Sequence, residues 1–133
     1  MVETKIQMRF ADVDMLRHVN NVNQQHYFDV GKNDYFAATL GLLPGFLKQG
    51  MITVNTDTSY LSQIRYNTNV VVRTRLEKMG NKSFVLCQQI IDGDNGEVKT
   101  ESRSVMVAFD FEEQVSIPVP EQWRERLSIH EGW

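Results

Sequence analysis

The segment Ala11–Asn21, ADVDMLRHVNN, brings together two carboxylates (Asp12, Asp14), a guanidinium (Arg17), an imidazole (His18) and two amides (Asn20, Asn21). Groups of this kind resist burial, and here they stand between an amphipathic strand and an aromatic-rich segment with helical spacing. If a helix starts at Asn20–Asn21, its first backbone N–H groups are free of intrahelical partners and lie at the positive end of the helix dipole. Such an end suits an oxygen that becomes negative during a reaction. A carboxylate a few residues earlier can attack a carbonyl or activate a water, and Asp14 stands at that distance. The same residues also read as a solvated turn with Asp14, Asn20 or Asn21 as a helix cap. Asp12, Asp14, His18 and His26 are possible metal ligands, but without the two-histidine or cysteine spacing of a defined site, so no metal is expected. No Gly-Xaa-Ser-Xaa-Gly elbow competes for a hydrolytic role. Cys87 lies beside Val85 and Leu86 and reads as a packed strand thiol.

The elements that must position this segment follow from periodicity. Lys5–Phe10 predicts a short first strand. From about Asn23 to Leu40, Tyr27, Phe28, Gly31, Tyr35 and Ala38 recur at helical spacing, with Gly41 as the stop. Gly31, on the apolar stripe, costs about 1 kcal/mol relative to alanine in a helix, which predicts close packing of a sheet against the helix backbone there. Leu42–Gly50, with Pro44, Gly45 and Gly50, reads as a loop or a short turn of helix. Met51–Leu61 alternates, with Ile52, Val54, Thr56, Thr58 and Tyr60 expected on one face. Asn69–Met79 and Ser83–Ile91 are two further strands joined by a tight Gly80-Asn81-Lys82 turn. A second turn, Asp92–Gly96, leads into a long strand Glu97–Phe109, and Pro118–Trp123 opens a C-terminal helix. The expected fold is α+β, with an antiparallel sheet of about five strands wrapped around one long helix. Lys99, Glu101 and Arg103 make one face of the last strand polar.

At 133 residues the chain suits a single domain, residues 1–133. A net charge of −3 with no basic tract gives no footprint for nucleic acid, and no apolar run is long enough for a membrane span. The N-terminal MVETKIQMRF lacks the apolar core of a secretory signal, and the single cysteine agrees with a reducing cytoplasm, the expected location.

The stretch Asp12–Asn21 resembles the motif Asp-Xaa-Asp-Xaa-Xaa-Gly-His-Val-Asn-Asn of the hotdog-fold acyl-CoA thioesterases, in the branch of 4-hydroxybenzoyl-CoA thioesterase. Asp14, His18, Val19, Asn20 and Asn21 match it, and Arg17 stands at the glycine. The likeness continues in order through Tyr27-Phe28-Asp29, Ser59-Tyr60-Leu61, Val72–Leu76, Gly80–Phe84 and Ile117–Pro120. Gln24 stands at a position where the branch often has tyrosine, and Gln63 and Asn67 where it often has proline and glycine.

The resemblance implies a hotdog domain that hydrolyses acyl-CoA, and in some members acyl carrier protein thioesters, without metal or cofactor, as a homodimer or homotetramer. By matching positions Asp14 is the catalytic carboxylate and the Asn21 backbone N–H polarises the carbonyl, with His18 orienting substrate or water. Arg17 is positioned to bind a substrate anion or to pair with Asp12 or Asp14. Lys78, Lys82 and Arg65 are candidates for the phosphates of coenzyme A. Tyr60, Phe36 and Phe46 are candidates for an acyl channel. A non-catalytic acyl-CoA-binding module is the alternative reading. A hydratase on the same fold would present a catalytic histidine in a different motif.

Overall fold

The computed structural model describes residues 1–41 and 48–133; Phe46 and most of the expected Leu42–Gly50 loop lie outside the described residues. Alternation organises the middle of the sheet. In β3 (Val70–Met79) Val70, Val72, Thr74 and Leu76 are buried, while Arg75 and Glu77 are exposed on the opposite face. β4 (Ser83–Asp92) buries Phe84, Leu86, Gln88 and Ile90, and β5 (Val98–Asp110) buries Thr100, Ser102, Ser104, Met106 and Ala108. Together with β1 (Val2–Lys5) and β2 (Gln49–Tyr60) they form an antiparallel sheet in the order β1-β3-β4-β5-β2, and a two-residue β6 (Val115–Ser116) pairs with the end of β5. The Gly80 and Asp92 turns form as expected: Gly80 N–H donates to Ser83 O at 2.7 Å and Gly96 N–H to Asp92 O at 2.7 Å.

The helix α1 (Asn21–Leu40) lies on the buried face and ends at Gly41, whose φ of 69° is the left-handed conformation of a helix stop. Its aromatic residues bury in two groups. Tyr27 and Phe28 pack with Val19, Ile64, Val70, Val72 and Ile90; Tyr35, Phe36 and Leu40 pack with Leu76, Phe84, Leu86 and Met106. The close approach expected at Gly31 is present: a Cβ there would stand 2.6 Å from Val72 Cγ1 and 3.0 Å from Gln88 Nε2. The C-terminal helix α2 (Glu121–Glu131) adds Trp123 and Leu127 to the second group. Glu131 ties it down, accepting from Tyr35 Oη at 2.7 Å and from Leu76 N at 2.9 Å.

Two expectations need correction. The first strand is Val2–Lys5 rather than Lys5–Phe10, because β3 begins at Val70: Ile6 N–H still reaches Val70 O at 3.0 Å, and beyond it no β3 residue is left to pair. β2 does not present Ile52 through Tyr60 on one face. Its register shifts between Thr53 and Asn55, so Ile52 opposes Val107, whereas Thr56, Thr58 and Tyr60 oppose Ser104, Ser102 and Thr100. Val54 is the extra residue of the bulge and is 55% exposed.

Candidate active site

The polar segment is folded by its two acids acting in opposite directions. Asp12 closes a short 3-10 turn (Phe10–Asp12) and is 1% exposed. Its carboxylate accepts from Arg9 N at 3.0 Å, from the Arg9 guanidinium at 2.8 and 3.0 Å, and from Tyr27 Oη at 2.7 Å. Burial alone would push its pKa up, but these hydrogen bonds and the Arg9 charge outweigh that and hold it below the usual carboxylate range. Asp12 is therefore a buried anchor joining the turn to α1. Tyr27 Oη, which the sequence offered only as part of an apolar stripe, is the partner that marks it so.

Asp14 faces the other way and is exposed. Val13 and Val19 form an antiparallel bridge, closed by the three residues Met15, Leu16 and Arg17 between Asp14 and His18. Arg17 N–H donates to Asp14 O at 3.0 Å, Asp14 N–H lies 3.4 Å from His18 O, and Arg17 adopts φ 68°. A three-residue hairpin loop with a left-handed last residue favours glycine at that place, which is the physical reason for a glycine in the motif that this segment resembles. Arginine keeps the same backbone, with its side chain exposed. Asn67, also at a glycine position of the resemblance, likewise has φ 68°. Asp14 Oδ1 accepts from Leu16 N at 2.9 Å, which steadies the carboxylate without capping the helix.

The helix cap is Asn20, whose side chain accepts from Asn23 N at 2.9 Å. Asn21 is the first helical residue, and its backbone N–H has no hydrogen-bond partner among the described residues. The loop before β3 holds the segment from the side: Val19 N–H donates to Ile64 O at 2.8 Å, and His18 bridges Arg65. At the end of β2, Tyr60 Oη accepts from Gln25 Nε2 at 3.2 Å, one turn into α1. Asp14, Arg17, His18, Asn21, Arg65 and Tyr60 thus gather around one end of α1.

Lys78 and Lys82 do not join them within one chain. They flank the β3–β4 turn at the other end of the sheet, about 26 Å along β3 from Val70. Phe36 packs edge-on against Phe84 in the core cluster at that same end. Cys87 is half-buried on the outer sheet face, where burial pushes its thiol pKa up, against an active nucleophile. Among the described residues no three His, Cys, Asp or Glu side chains group as metal ligands, and no helix is long and apolar enough to cross a membrane.

A family model described as the thioesterase-like superfamily matches residues 8–127. Among solved structures, a Pseudomonas aeruginosa protein superposes with a TM-score of 0.89 at 22% identity, over 97% of this chain and 90% of that one, a likeness of fold. A predicted thioesterase from Bacillus stearothermophilus has a TM-score of 0.85 at 29% identity, over 96% of this chain and 94% of that one. A Thermus thermophilus thioesterase complexed with coenzyme A and zinc has a TM-score of 0.85 at 27% identity, over 98% and 95%. A comparison with curated proteins returned no match.

Proposed function

Since this chain belongs to the thioesterase-like superfamily, we propose that it hydrolyses acyl-CoA thioesters to the free acid and coenzyme A, with Asp14 as the reacting carboxylate. The observation that carries this reading is the pairing of an exposed acid on a fixed hairpin turn with an unpartnered N–H at the start of α1. A thioester carbonyl is activated and its thiolate is a good leaving group, so one carboxylate and one oriented dipole are enough. The Asn21 N–H donates to the carbonyl oxygen as it becomes negative. Asp14 then either adds to the carbonyl carbon, giving an anhydride that water opens, or removes a proton from the water that adds. In both routes the C–S bond breaks, the thiolate takes a proton and one water is consumed; the anhydride opens at either carbonyl, so the water oxygen ends in the product acid or in Asp14, whereas the general-base route puts it in the product acid alone. His18 orients substrate or water from beside the turn.

Arg17 and Arg65, at the same end of α1 as Asp14, are assigned to the phosphates of coenzyme A. Lys78 and Lys82 can serve the same end only from a second copy of the chain. That fits a homodimer formed along β2, whose outer edge has no partner strand among the described residues and most of whose residues are exposed. The Thermus thermophilus relative was solved with coenzyme A, which supports coenzyme A rather than acyl carrier protein as the thiol carrier here. A cytoplasmic location and a single domain over residues 1–133 complete the reading.

The test is thiol release with equimolar free acid across short, long, branched and aromatic acyl-CoAs. Thermal stabilisation by acyl-CoA without thiol release favours the binding module instead. A single turnover in oxygen-labelled water separates the two routes: label that enters the Asp14 carboxylate indicates the anhydride.

A further inference from the structure

The buried face of the sheet is apolar at both ends and polar in between. On β3 and β4 a single polar residue separates the two core clusters: Thr74 on β3 between Val72 and Leu76, and Gln88 on β4 between Leu86 and Ile90. On β5 the buried residues run Thr100, Ser102, Ser104 before Met106 begins the second cluster. Gly31 and Lys32 fill the corresponding turn of α1, between Phe28 and Tyr35. Part of this layer is satisfied internally. Gln88 Nε2 donates to Phe28 O at 2.9 Å and to Thr74 Oγ1 at 3.0 Å, and Thr58 and Ser102 hydroxyls meet at 3.0 Å.

The rest is not satisfied. Ser104 is 1% exposed and Gln88 2% exposed, yet Ser104 Oγ and Gln88 Oε1 have no hydrogen-bond partner among the described residues. Lys32 is 7% exposed. Its ammonium has one carboxylate within ion-pair range among the described residues, Asp29 at 3.7 Å, beyond hydrogen-bond length, and the Asp29 side chain is 67% exposed. Burial draws the Lys32 pKa down, with Asp29 acting against it. Two unpaired buried polar atoms, beside a lysine whose side chain is nine-tenths buried, leave this layer incompletely satisfied in the free protein.

The layer is continuous with the candidate site. Gln25, Asp29, Lys32 and Phe36 follow one another at helical three- and four-residue steps, so they share a stripe of α1. Gln25 fixes where the stripe faces: its amide donates to Thr58 Oγ1 at 3.1 Å and to Tyr60 Oη at 3.2 Å on β2. The level of Lys32 is fixed by its neighbour Gly31, which packs on Gln88; Gln88 opposes Ser102, and Ser104 is the next inward residue of β5. α1 packs over β1, β3 and β4, while Thr56 and Tyr60 on the inner face of β2 remain exposed. A groove between α1 and β2 therefore leads from the Asn21 end toward Lys32. Along the helix the two are about 16 Å apart, shortened by the lean of the lysine side chain toward the helix start.

We propose that this groove takes an acyl group of medium length ending in a carboxylate, with the Lys32 ammonium as its counter-ion and the Ser104 hydroxyl as a hydrogen-bond donor. This rests on the reading of the Asp14 end as the thioester-cleaving site. A terminal carboxylate gives the Lys32 ammonium a closer partner than the exposed Asp29 at 3.7 Å, which a methyl end does not. Short carboxylated acyl groups do not reach Lys32 and gain nothing from it.

The test compares kcat/KM for chains of matched length: octanoyl- against suberoyl-CoA, and decanoyl- against sebacoyl-CoA. The carboxylated member is preferred by about tenfold or more. Lys32→Met removes that preference, Lys32→Arg keeps a large part of it, and Ser104→Ala reduces it less. Lys32→Gln substitutes for Lys32→Met if thermal denaturation shows the latter unfolded. Calorimetry with non-cleavable thioether analogues reads the same ratio as binding. Equal or reversed preference in the unaltered protein, or a ratio that survives loss of the lysine, overturns the assignment. No turnover of any acyl-CoA, together with Lys32-dependent binding of the carboxylated analogue, rejects the hydrolase reading and upholds this one.

Discussion

Arg17→Gly is expected to raise the stability of this protein although it deletes a large side chain. Arg17 holds φ 68° as the last residue of the loop between Asp14 and His18. An L-residue in the left-handed region costs roughly 1–2 kcal/mol. Glycine avoids that cost but adds backbone freedom to the unfolded chain, which offsets about 0.5–1 kcal/mol. The guanidinium makes no ion pair with Asp12 or Asp14, since the carboxylate partner of Arg9 is Asp12 and Asp14 accepts from Leu16. Removing it therefore loses little folding energy. The net gain is about 0.5–1 kcal/mol, or roughly 2–5 °C in Tm for a chain of this size. Arg17→Ala is the control, because alanine keeps the strained backbone and should leave Tm near the starting value. The diagnostic quantity is the order of the two variants: at an ordinary helical position glycine falls about 1 kcal/mol below alanine, and here it should lie above. Thermal and urea denaturation of the three proteins decides it. A glycine variant no more stable than the alanine variant refutes the strained-turn account of residue 17.

Gly31→Ala should destabilise despite the better helix propensity of alanine. The new methyl would stand 2.6 Å from Val72 Cγ1, and such overpacking costs about 1–3 kcal/mol against the roughly 1 kcal/mol gained. Adding Val72→Ala should recover part of the loss, read as a non-additive cycle in urea denaturation. Asp12→Asn should lower stability at neutral pH by about 1–3 kcal/mol, since it removes the charge that holds Arg9 and Tyr27. The folded pKa of Asp12 is depressed, so its contribution is present above the unfolded carboxylate value and disappears as pH falls through the folded one. The asparagine variant should therefore lose less stability than the parent on acidification below about pH 4. A parallel pH profile for the two proteins would remove Asp12 from that role.

The elements legible in the sequence were those with sustained periodicity and clear stops. α1 ends at Gly41 as its glycine indicated, and the Gly80 and Asp92 turns set β3, β4 and β5 to within a residue or two. Gly31 marked the close contact with the sheet because a glycine on an apolar stripe needs a packing reason. β2 was less legible: threonines and valines alternate smoothly through Val54, and the bulge that divides them depends on pairing with β5. The two acids of the polar segment were indistinguishable locally. What separates them is a tyrosine hydroxyl fifteen residues on, which draws Asp12 inward and leaves Asp14 outside. The distance of Lys78 and Lys82 from that segment is likewise a property of the sheet, since a charged turn carries no local mark of which end it occupies. The polar layer at Lys32 was hidden for the same reason, because it assembles from residues on four elements, among them Lys32, Thr74, Gln88 and Ser104.

The central claim is that the Asp14 carboxylate carries thioester hydrolysis. Thiol release by Asp14→Asn on the best acyl-CoA of a broad panel tests it most directly, with Tm and elution volume confirming an unchanged fold and assembly. Asparagine keeps the shape of the exposed turn and its acceptor for Leu16 N–H, but it can neither take a proton from water nor form an anhydride. The expected result is a fall in kcat of about 10²- to 10⁴-fold with Tm nearly constant. A variant that retains rates close to those of the unaltered protein would contradict the account.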